Sequence, residues 1–251
     1  MGKTNKKSED ITIVGLGPGR EDQLTLEVYN ILLKARKVYF RYHFHPAFEM
    51  LRQKKKDIVN FDYLYKIKGI TYEQVYSIMA EIVVKDAKTS GNVVFAVPGN
   101  PYVLEDTTNL IIDEAQRQGL SVKVVEGMSF LENIFVELKL NLNQGLQIAN
   151  PVKLLEEGKK ELSPKTPCII YSLTFPPSSR PTGKAEIIFD KLCNYLLSIY
   201  PSHHKVFLVQ TAEIPPYENK VSSCRLSELH KKKRFINDLT SLYLPAPKKE
   251  T

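Results

Sequence analysis

Three short stretches each run from apolar residues into a turn that contains glycine, a pattern typical of ligand-binding turns. The first, ITIVGLGPGR, spans residues 11–20, and the second, VFAVPGNPYV, spans residues 94–103. The third, KVVEGMSFLEN, spans residues 123–133. Glycine lets the chain turn tightly and leaves no side chain between the backbone and a ligand. These stretches are the first candidates for a binding site.

The spacing of the first stretch excludes the two most familiar phosphate-binding loops. Counted from Gly15, the sixth position is Arg20, where a dinucleotide fingerprint needs glycine for close packing of helix on strand. The next predicted strand ends in Arg41 rather than in an acidic residue that would hold ribose hydroxyls. A P-loop does not fit either, since no GK[ST] follows and Pro18 lacks a backbone donor.

The elements that position these turns follow an α/β pattern. Short β-branched runs alternate with helical periodicity in the first half, which predicts a largely parallel sheet. The clearest helix is TYEQVYSIMAEIVVKDAK, which begins with a capping box formed by Thr71 and Gln74. The predicted strands of the first half are 11–14, 37–41, 57–61, 92–97 and 121–125.

Ligands of parallel sheets bind at the carboxyl ends of the strands, so the three turns are expected to converge on one cleft. The second half has a different pattern, with strands predicted at 168–172, 205–210, 220–224 and 239–244 and a helix at 184–198. We expect a disordered basic tail at 1–10, an N-terminal α/β domain at 11–127 and a C-terminal α/β domain at 128–251. The polar stretch NLNQGLQIANPVKLLEEG is predicted to be the crossing between the domains.

Composition narrows the class of protein. The chain has 251 residues, 43% of them hydrophobic, which is enough for two domains with real cores. No apolar run is long enough for a membrane span and the N-terminus is polar, so we expect a cytoplasmic protein without membrane contact. The net charge of +7 lies mostly in three short runs without interleaved aromatics, which argues against a nucleic-acid partner. Three scattered cysteines and the pair His203 and His204 lack metal-ligand spacing, so no metal is expected.

The order and spacing of these motifs resemble the tetrapyrrole (corrin/porphyrin) methylase family, whose members use S-adenosylmethionine. The resemblance runs from VGLGPGR and LTLEVYNIL through AVPGNP and VVEGMSF to the closing DLTSLYLP. Within the family, RYHFHP, FDYLY, SFLEN and NQGLQI are most like the branch fused to MazG-type pyrophosphohydrolases. The resemblance implies two α/β domains, a folded cofactor in the cleft between them, and a homodimer.

The resemblance also implies which positions lie beside S-adenosylmethionine. They come from all three turns and from the second domain: Pro18, Pro98, Gly99, Asn100, Val103, Ser129, Phe130, Ser172 and Ala212. The choice is physically sensible, because asparagine can donate and accept hydrogen bonds and a serine at a helix start lies where backbone amides favour a carboxylate.

Departures from the family pattern concern the acceptor more than the cofactor. Arg20 replaces an aspartate after GPG, and PGNP stands where corrin enzymes often have GGDP. Arg41 lies where some uroporphyrinogen enzymes carry an acidic catalytic candidate, so that assignment does not transfer. Arg41 could pair with an acceptor carboxylate or phosphate, or could be a solvated charge at a strand end. His45 is the best candidate for a general base, with an ordinary loop histidine as the alternative.

Three functions are consistent with these residues. The first is methyl transfer from S-adenosylmethionine to an unidentified small molecule. The second is a non-catalytic module that binds S-adenosylmethionine or a nucleotide and regulates a MazG-type pyrophosphohydrolase. Because no EExxE-type metal motif is present, that hydrolase would be missing or encoded separately. The third is methylation of a peptide backbone, as relatives of this fold perform.

Overall fold

The computed structural model describes residues 9–54, 56–156, 162–173, 185–211 and 219–247, and these form two α/β units. The described residues up to Glu132 belong to the first unit, and those from Asn133 onward belong to the second. The predicted α/β class is confirmed. Most of the tail predicted at 1–10 and the expected cofactor residue Ala212 lie outside the described residues.

The first unit is built on a five-stranded sheet in which every pairing is parallel, with the order β3-β2-β4-β1-β5. β4 is the central strand and β1 lies next to it. All residues of both strands are buried, as expected for continuous apolar runs in a parallel sheet that is covered on both faces. The strands are β1 (Ile11–Gly15), β2 (Lys37–Phe40), β3 (Asp57–Asn60), β4 (Val93–Val97) and β5 (Val122–Val125).

Helices cover both faces of this sheet because successive strand residues point to opposite sides. Ile11 and Ile13 pack into one apolar core, whereas Val14 and Leu16 pack into another. The predicted capping box of α3 is confirmed, since Thr71 accepts from the backbone of Gln74 and the Gln74 side chain accepts from Thr71. These helices are α1 (Leu26–Lys34), α2 (Pro46–Gln53), α3 (Tyr72–Ser90) and α4 (Thr107–Arg117), and α5 (Phe130–Glu137) begins in the first unit and continues into the second.

The second unit contains a mixed five-stranded sheet with the order β6-β7-β10-β8-β9. Only the β6–β7 pairing is parallel among the pairings of the described strands. Its helices are α6 (Pro151–Leu155) and α7 (Ala185–Ile199), and a 3-10 helix spans Leu226–Phe235. The strands are β6 (Gln147–Ala149), β7 (Cys168–Ile170), β8 (Lys205–Gln210), β9 (Lys220–Arg225) and β10 (Thr240–Leu244).

The stretch expected to be a plain crossing between domains is in part regular structure, so that expectation is wrong. It contains β6 and α6, which belong to the second unit. A three-residue edge strand is too short to show an alternating pattern, and its identity comes from pairing with β7. Among the helices that the structure describes, none has the length and hydropathy to cross a bilayer.

Candidate functional site

The three glycine turns meet at the carboxyl end of the first sheet, as predicted. The first and second turns are joined by a backbone bridge in which Gly99 N donates to Gly17 O at 2.7 Å and Gly17 N donates to Gly99 O at 3.3 Å. The second and third turns are joined by Asn100, whose Nδ2 donates to the carbonyl oxygen of Gly127 at 2.9 Å. The convergence on one place is therefore confirmed by direct contacts.

Two of these glycines are required by the closeness of the backbones. A Cβ at Gly15 would lie 2.5 Å from Gly99 O and 2.6 Å from Gly127 N, closer than real side-chain carbons approach such atoms. A Cβ at Gly127 would lie 2.6 Å from Gly99 O and equally close to the carbonyl of Gly15. Both obstacles are backbone, which cannot rotate away as a side chain would. The turns can meet only because these positions lack a side chain.

Gly99 differs from the other two because it faces open space. Its φ of +73° is a left-handed conformation that favours glycine. A Cβ built there would have its nearest neighbour, Met128 O, at 4.0 Å. The backbone of the second turn is thus presented to a space that an approaching ligand can occupy. Pro98 and Val103, two more of the expected cofactor residues, are half-buried in the same turn.

Two polar residues expected to contact the cofactor already make hydrogen bonds within the protein. The Oδ1 of Asn100 accepts from Tyr102 N at 2.9 Å, in addition to the bond from Nδ2 to the third turn. Ser129 is buried, and both its N and Oγ donate to the Glu132 carboxylate at 2.6 Å. An incoming carboxylate would compete with Glu132 for these donors. One Nδ2 hydrogen of Asn100 is not used by either of its two bonds.

The remaining expected cofactor residues are placed as follows. Pro18 is half-buried in the first turn and Phe130 is half-buried at the start of α5. In the second unit, Ser172 follows β7 with a φ of +50°, a strained value for a residue other than glycine. Such strain is often found at functional positions in proteins, and within this unit Lys139, with a φ of +53°, shares it.

Arg41 is enclosed by the loops that follow β2, β3 and β4. Its side chain is only 13% exposed, so the interpretation of Arg41 as a solvated strand-end charge is wrong. The guanidinium donates through Nε to Tyr65 Oη at 3.0 Å, through Nη2 to Tyr76 Oη at 2.9 Å, and through Nη1 to the Glu105 carboxylate. The rings of Tyr42 and Tyr76 lie 5.2 and 4.8 Å from the guanidinium carbon. A direct contact between Arg41 and an acceptor stays a prediction.

Within this cluster Arg41 keeps its positive charge and the two phenols stay neutral. Burial opposes the charge of Arg41, but the Glu105 carboxylate and the surrounding phenolic oxygens hold its pKa above the ordinary value. Burial also raises the pKa of Tyr65, and it raises the pKa of Tyr76 to about 12 although Arg41 opposes both shifts. The two phenols therefore keep their protons at physiological pH and accept from Arg41.

His45 does not lie where a general base is useful. The imidazole is 1% exposed, and Nδ1 caps α2 by accepting from Ala47 N at 3.2 Å. Its Nε2 faces the backbone of Leu16 and Gly17 without a well-formed hydrogen bond. Burial lowers the pKa of His45 to about 4, and these backbone groups only partly oppose the shift. His45, expected as the best candidate for a general base or else as an ordinary loop histidine, is in the structure a neutral, enclosed helix cap.

Glu105 is the residue of this cluster that the sequence did not indicate. It is buried, and besides Arg41 it accepts from Thr107 N at 3.0 Å and from the Thr107 hydroxyl. The preceding Leu104 has a φ of +60°, so the backbone is strained where Glu105 enters the cluster. In the sequence, a single glutamate just before a helix indicates only an acidic residue at the helix N-terminus. Its contact with Arg41 exists only in the folded chain. No group of three or more metal-ligating side chains occurs within the described ranges.

Comparison with known proteins gives the class to which this fold and site belong. The chain matches the family Tetrapyrrole (Corrin/Porphyrin) Methylases over residues 10–229. It therefore belongs to the tetrapyrrole methylase family. The fold agrees with that of the methyltransferase CobJ, with a TM-score of 0.69, 16% identity and 95% of each chain covered.

Two curated proteins are similar to this chain in sequence. The uncharacterized protein YabN of Bacillus subtilis (strain 168) is 32% identical over 240 residues, covering 96% of this chain and 45% of the relative. A borosin methyltransferase and cyclic peptide precursor of Cerrena unicolor, ceuMA2, is 26% identical over 254 residues, covering 95% of this chain and 59% of the relative. This chain thus spans about half the length of these relatives.

The comparison with a ligand complex concerns the cofactor class. The uroporphyrin-III C-methyltransferase of Thermus thermophilus, complexed with S-adenosylhomocysteine, matches with a TM-score of 0.62 and 18% identity, covering 94% of this chain and 91% of the other. Proteins of this fold therefore include methyltransferases that hold the demethylated product of S-adenosylmethionine.

Proposed function

We propose that this protein is a methyltransferase that uses S-adenosylmethionine. Family membership supports the proposal, and one observation carries it: the open side of Gly99, held in place by the close packing of Gly15 and Gly127. This arrangement presents rigid backbone groups to a ligand without any side chain in between. The proposed cofactor residues are Pro18, Pro98, Gly99, Asn100, Val103, Ser129, Phe130, Ser172 and Ala212.

The chemistry requires little from side chains. Bound S-adenosylmethionine would supply a sulfonium methyl group that is already activated for in-line displacement. Holding two reacting groups in line can contribute about 7 to 11 kcal/mol to lowering the barrier, which makes rigid turns more useful than acids or bases. Asn100 contributes by bracing the second turn against the third. Arg41 contributes by fixing Tyr65 and Tyr76 with their hydroxyl protons still available for donation.

The proposed acceptor is a small molecule that is not identified by these residues. A peptide acceptor is the second candidate, and the similarity to ceuMA2, whose name combines a methyltransferase with a cyclic peptide precursor, favours it. A third proposal is a non-catalytic cofactor-binding module that regulates a MazG-type pyrophosphohydrolase. For the methyltransferase with a small-molecule acceptor, we propose a homodimer in the cytoplasm.

Methyl-labelled S-adenosylmethionine added with the protein to a cell extract tests these proposals. We expect label in the small-molecule fraction; label in peptides would instead establish the second candidate. Gly99→Ala should abolish the transfer, whereas Gly119→Ala should not. The control is matched, because Gly119 also has a positive φ of +71° and open space around its Cβ position. Absence of label with every extract, despite cofactor binding, would contradict a methyltransferase and favour the regulatory module.

A further inference from the structure

The outer edge of β9 is an open strand edge in the second unit. β9 pairs with β8 through six consecutive residues, from Lys220 opposite Gln210 to Arg225 opposite Lys205. It is the last strand of its sheet, and no pairing on its other side occurs in the described part of the chain. A strand edge of this kind presents a row of backbone N–H and C=O groups that another extended chain can pair with.

Most of β9 is exposed, and its contact with the core of the second unit is made by Cys224. Five of its six residues are exposed, among them Val221 at 42%, and Cys224 is half-buried. Proteins usually protect such an edge with proline, a bulge or charges in the middle of the strand. β9 has no proline, its register with β8 is continuous, and its four central residues, VSSC, carry no charge. The strand is therefore unprotected along its centre.

Cations without acidic partners surround this edge. Lys220 and Arg225 close the two ends of β9, and Lys231 and Arg234 follow in the 3-10 helix Leu226–Phe235; none of the four has an acidic side-chain partner among the residues that the structure describes. Lys232 lies close enough to β9 to act electrostatically on the thiol of Cys224.

Cations outnumber acids around β9, although the Glu137 carboxylate accepts from Asn219 Nδ2 beside the strand and Asp190 pairs with Lys233. Between residues 219 and 235 the sequence contains one acid, Glu228. Its carboxylate accepts from Arg225 N at 3.4 Å and so caps the 3-10 helix. The strand and the 3-10 helix that follows it thus carry an excess of positive charge.

We propose that the open edge of β9 binds an extended acidic peptide segment of a partner protein, which adds to the sheet as a further strand. Main-chain hydrogen bonds to the neutral centre of β9 would supply affinity, and carboxylates of the segment would pair with Lys220 and Arg225 at its ends. This surface lies in the second unit and its role is independent of the methyl transfer proposed above.

A second copy of the chain fits this edge less well. Antiparallel pairing of two β9 strands about their centre would set Lys220 of one copy opposite Arg225 of the other. Like charges in directly opposite positions destabilise a sheet. A nucleic acid would satisfy the cations but would leave the backbone donors and acceptors of the edge unpaired. An acidic peptide satisfies both the charges and the backbone.

Fluorescence anisotropy with the full chain tests the proposal. The probe is a labelled synthetic peptide in which glutamate alternates with valine. Two further peptides carry N-methyl groups on alternate residues, the first on the odd-numbered and the second on the even-numbered ones. Because alternate N–H groups of a strand point to opposite edges, only one of these peptides loses the donors that face β9. We expect the unmodified peptide and one N-methylated peptide to bind, and the other N-methylated peptide to bind about tenfold more weakly or not at all.

Charge reversal gives the second arm of the experiment. The double variant Lys220→Glu with Arg225→Glu should weaken binding by about tenfold or more. The control, Lys34→Glu with Lys85→Glu, changes two exposed helical lysines and should bind as the wild type does. Equal binding of both N-methylated peptides, full displacement by an oligonucleotide of equal charge, or a β9-dependent dimer that excludes the peptide would each overturn the proposal. Unchanged melting temperatures confirm that the variants are folded.

Discussion

At the scale of single residues, the polar side chains of the candidate site are held by the protein itself. Asn100 bonds the third turn, Ser129 bonds Glu132, and Arg41 bonds Glu105. Each fixes a loop that follows a strand. Backbone groups, with Gly99 the most open, are consequently the main surface offered to a ligand. Side chains in this site act chiefly by keeping that backbone rigid.

The ion pair of Arg41 and Glu105 can be tested by a double-mutant cycle. Glu105→Gln should destabilise the protein by about 3 kcal/mol, because it leaves a buried guanidinium without its counter-charge. Arg41→Met should have a cost of similar size, and the double variant should lose less than the sum of the two. Urea unfolding of all four proteins measures the coupling. Strictly additive losses would show that the two groups do not interact.

His45 predicts a pH dependence of stability with a defined sign. Its pKa of about 4 when folded, against an ordinary 6.5, means that the unfolded chain binds more protons. The contribution of His45 is fully present above about pH 6.5 and is lost as the pH falls towards 4, by about 3 kcal/mol in total. His45→Asn should remove this component while keeping a side-chain oxygen that can cap α2.

Unfolding free energies from about pH 7.5 down to about pH 4 measure this difference, because that range covers both pKa values. The wild type should lose stability more steeply on acidification than His45→Asn does. Parallel pH profiles for wild type and His45→Asn would contradict a buried neutral imidazole.

At the scale of elements, the site depends on how closely three strand ends approach each other. Gly127→Ala should destabilise the protein by about 3 kcal/mol or more, because the new methyl group would meet the backbones of Gly15 and Gly99. Gly99→Ala should cost only about 1 to 2 kcal/mol, the strain of its positive φ. Thermal unfolding should give Gly127→Ala a clearly lower melting temperature than Gly99→Ala and Gly119→Ala. Equal losses would contradict the close packing of the turns.

The elements that the sequence predicted well are those with a long or distinctive pattern. The five strands of the first sheet and the capping box of Thr71 were predictable, because buried parallel strands and a capped 19-residue helix give strong local signals. Strand β6 could not be predicted, because three residues at a sheet edge are too few to show a periodic pattern. The burial of His45 and its role as a cap were missed, because HFHP looks like a surface turn until α2 is placed on the sheet.

The convergence of the three turns could be predicted because parallel strands end at one edge. The partner of Arg41 could not, since Glu105 lies 64 residues away and is brought near by the order of the strands. Local patterns therefore indicated where the candidate site lies, while its internal hydrogen bonds required the fold.

At the scale of the whole molecule, the chain consists of two α/β units, and it matches the tetrapyrrole methylases over residues 10–229. The glycine turns belong to the first unit, and the open edge of β9 belongs to the second. The cofactor proposal and the peptide proposal can therefore be separated by substitution. Gly99→Ala should leave peptide binding intact, and Lys220→Glu with Arg225→Glu should leave cofactor binding intact.

Isothermal titration calorimetry with S-adenosylhomocysteine tests the central claim most directly, because it requires no acceptor. The wild type and Gly119→Ala should bind it saturably with matching affinities, and Gly99→Ala should bind at least about tenfold more weakly, since the added methyl group occupies the open side of the second turn. No heat of binding to the folded wild type at saturating ligand, or equal affinity in all three proteins, would contradict a cofactor site at these turns.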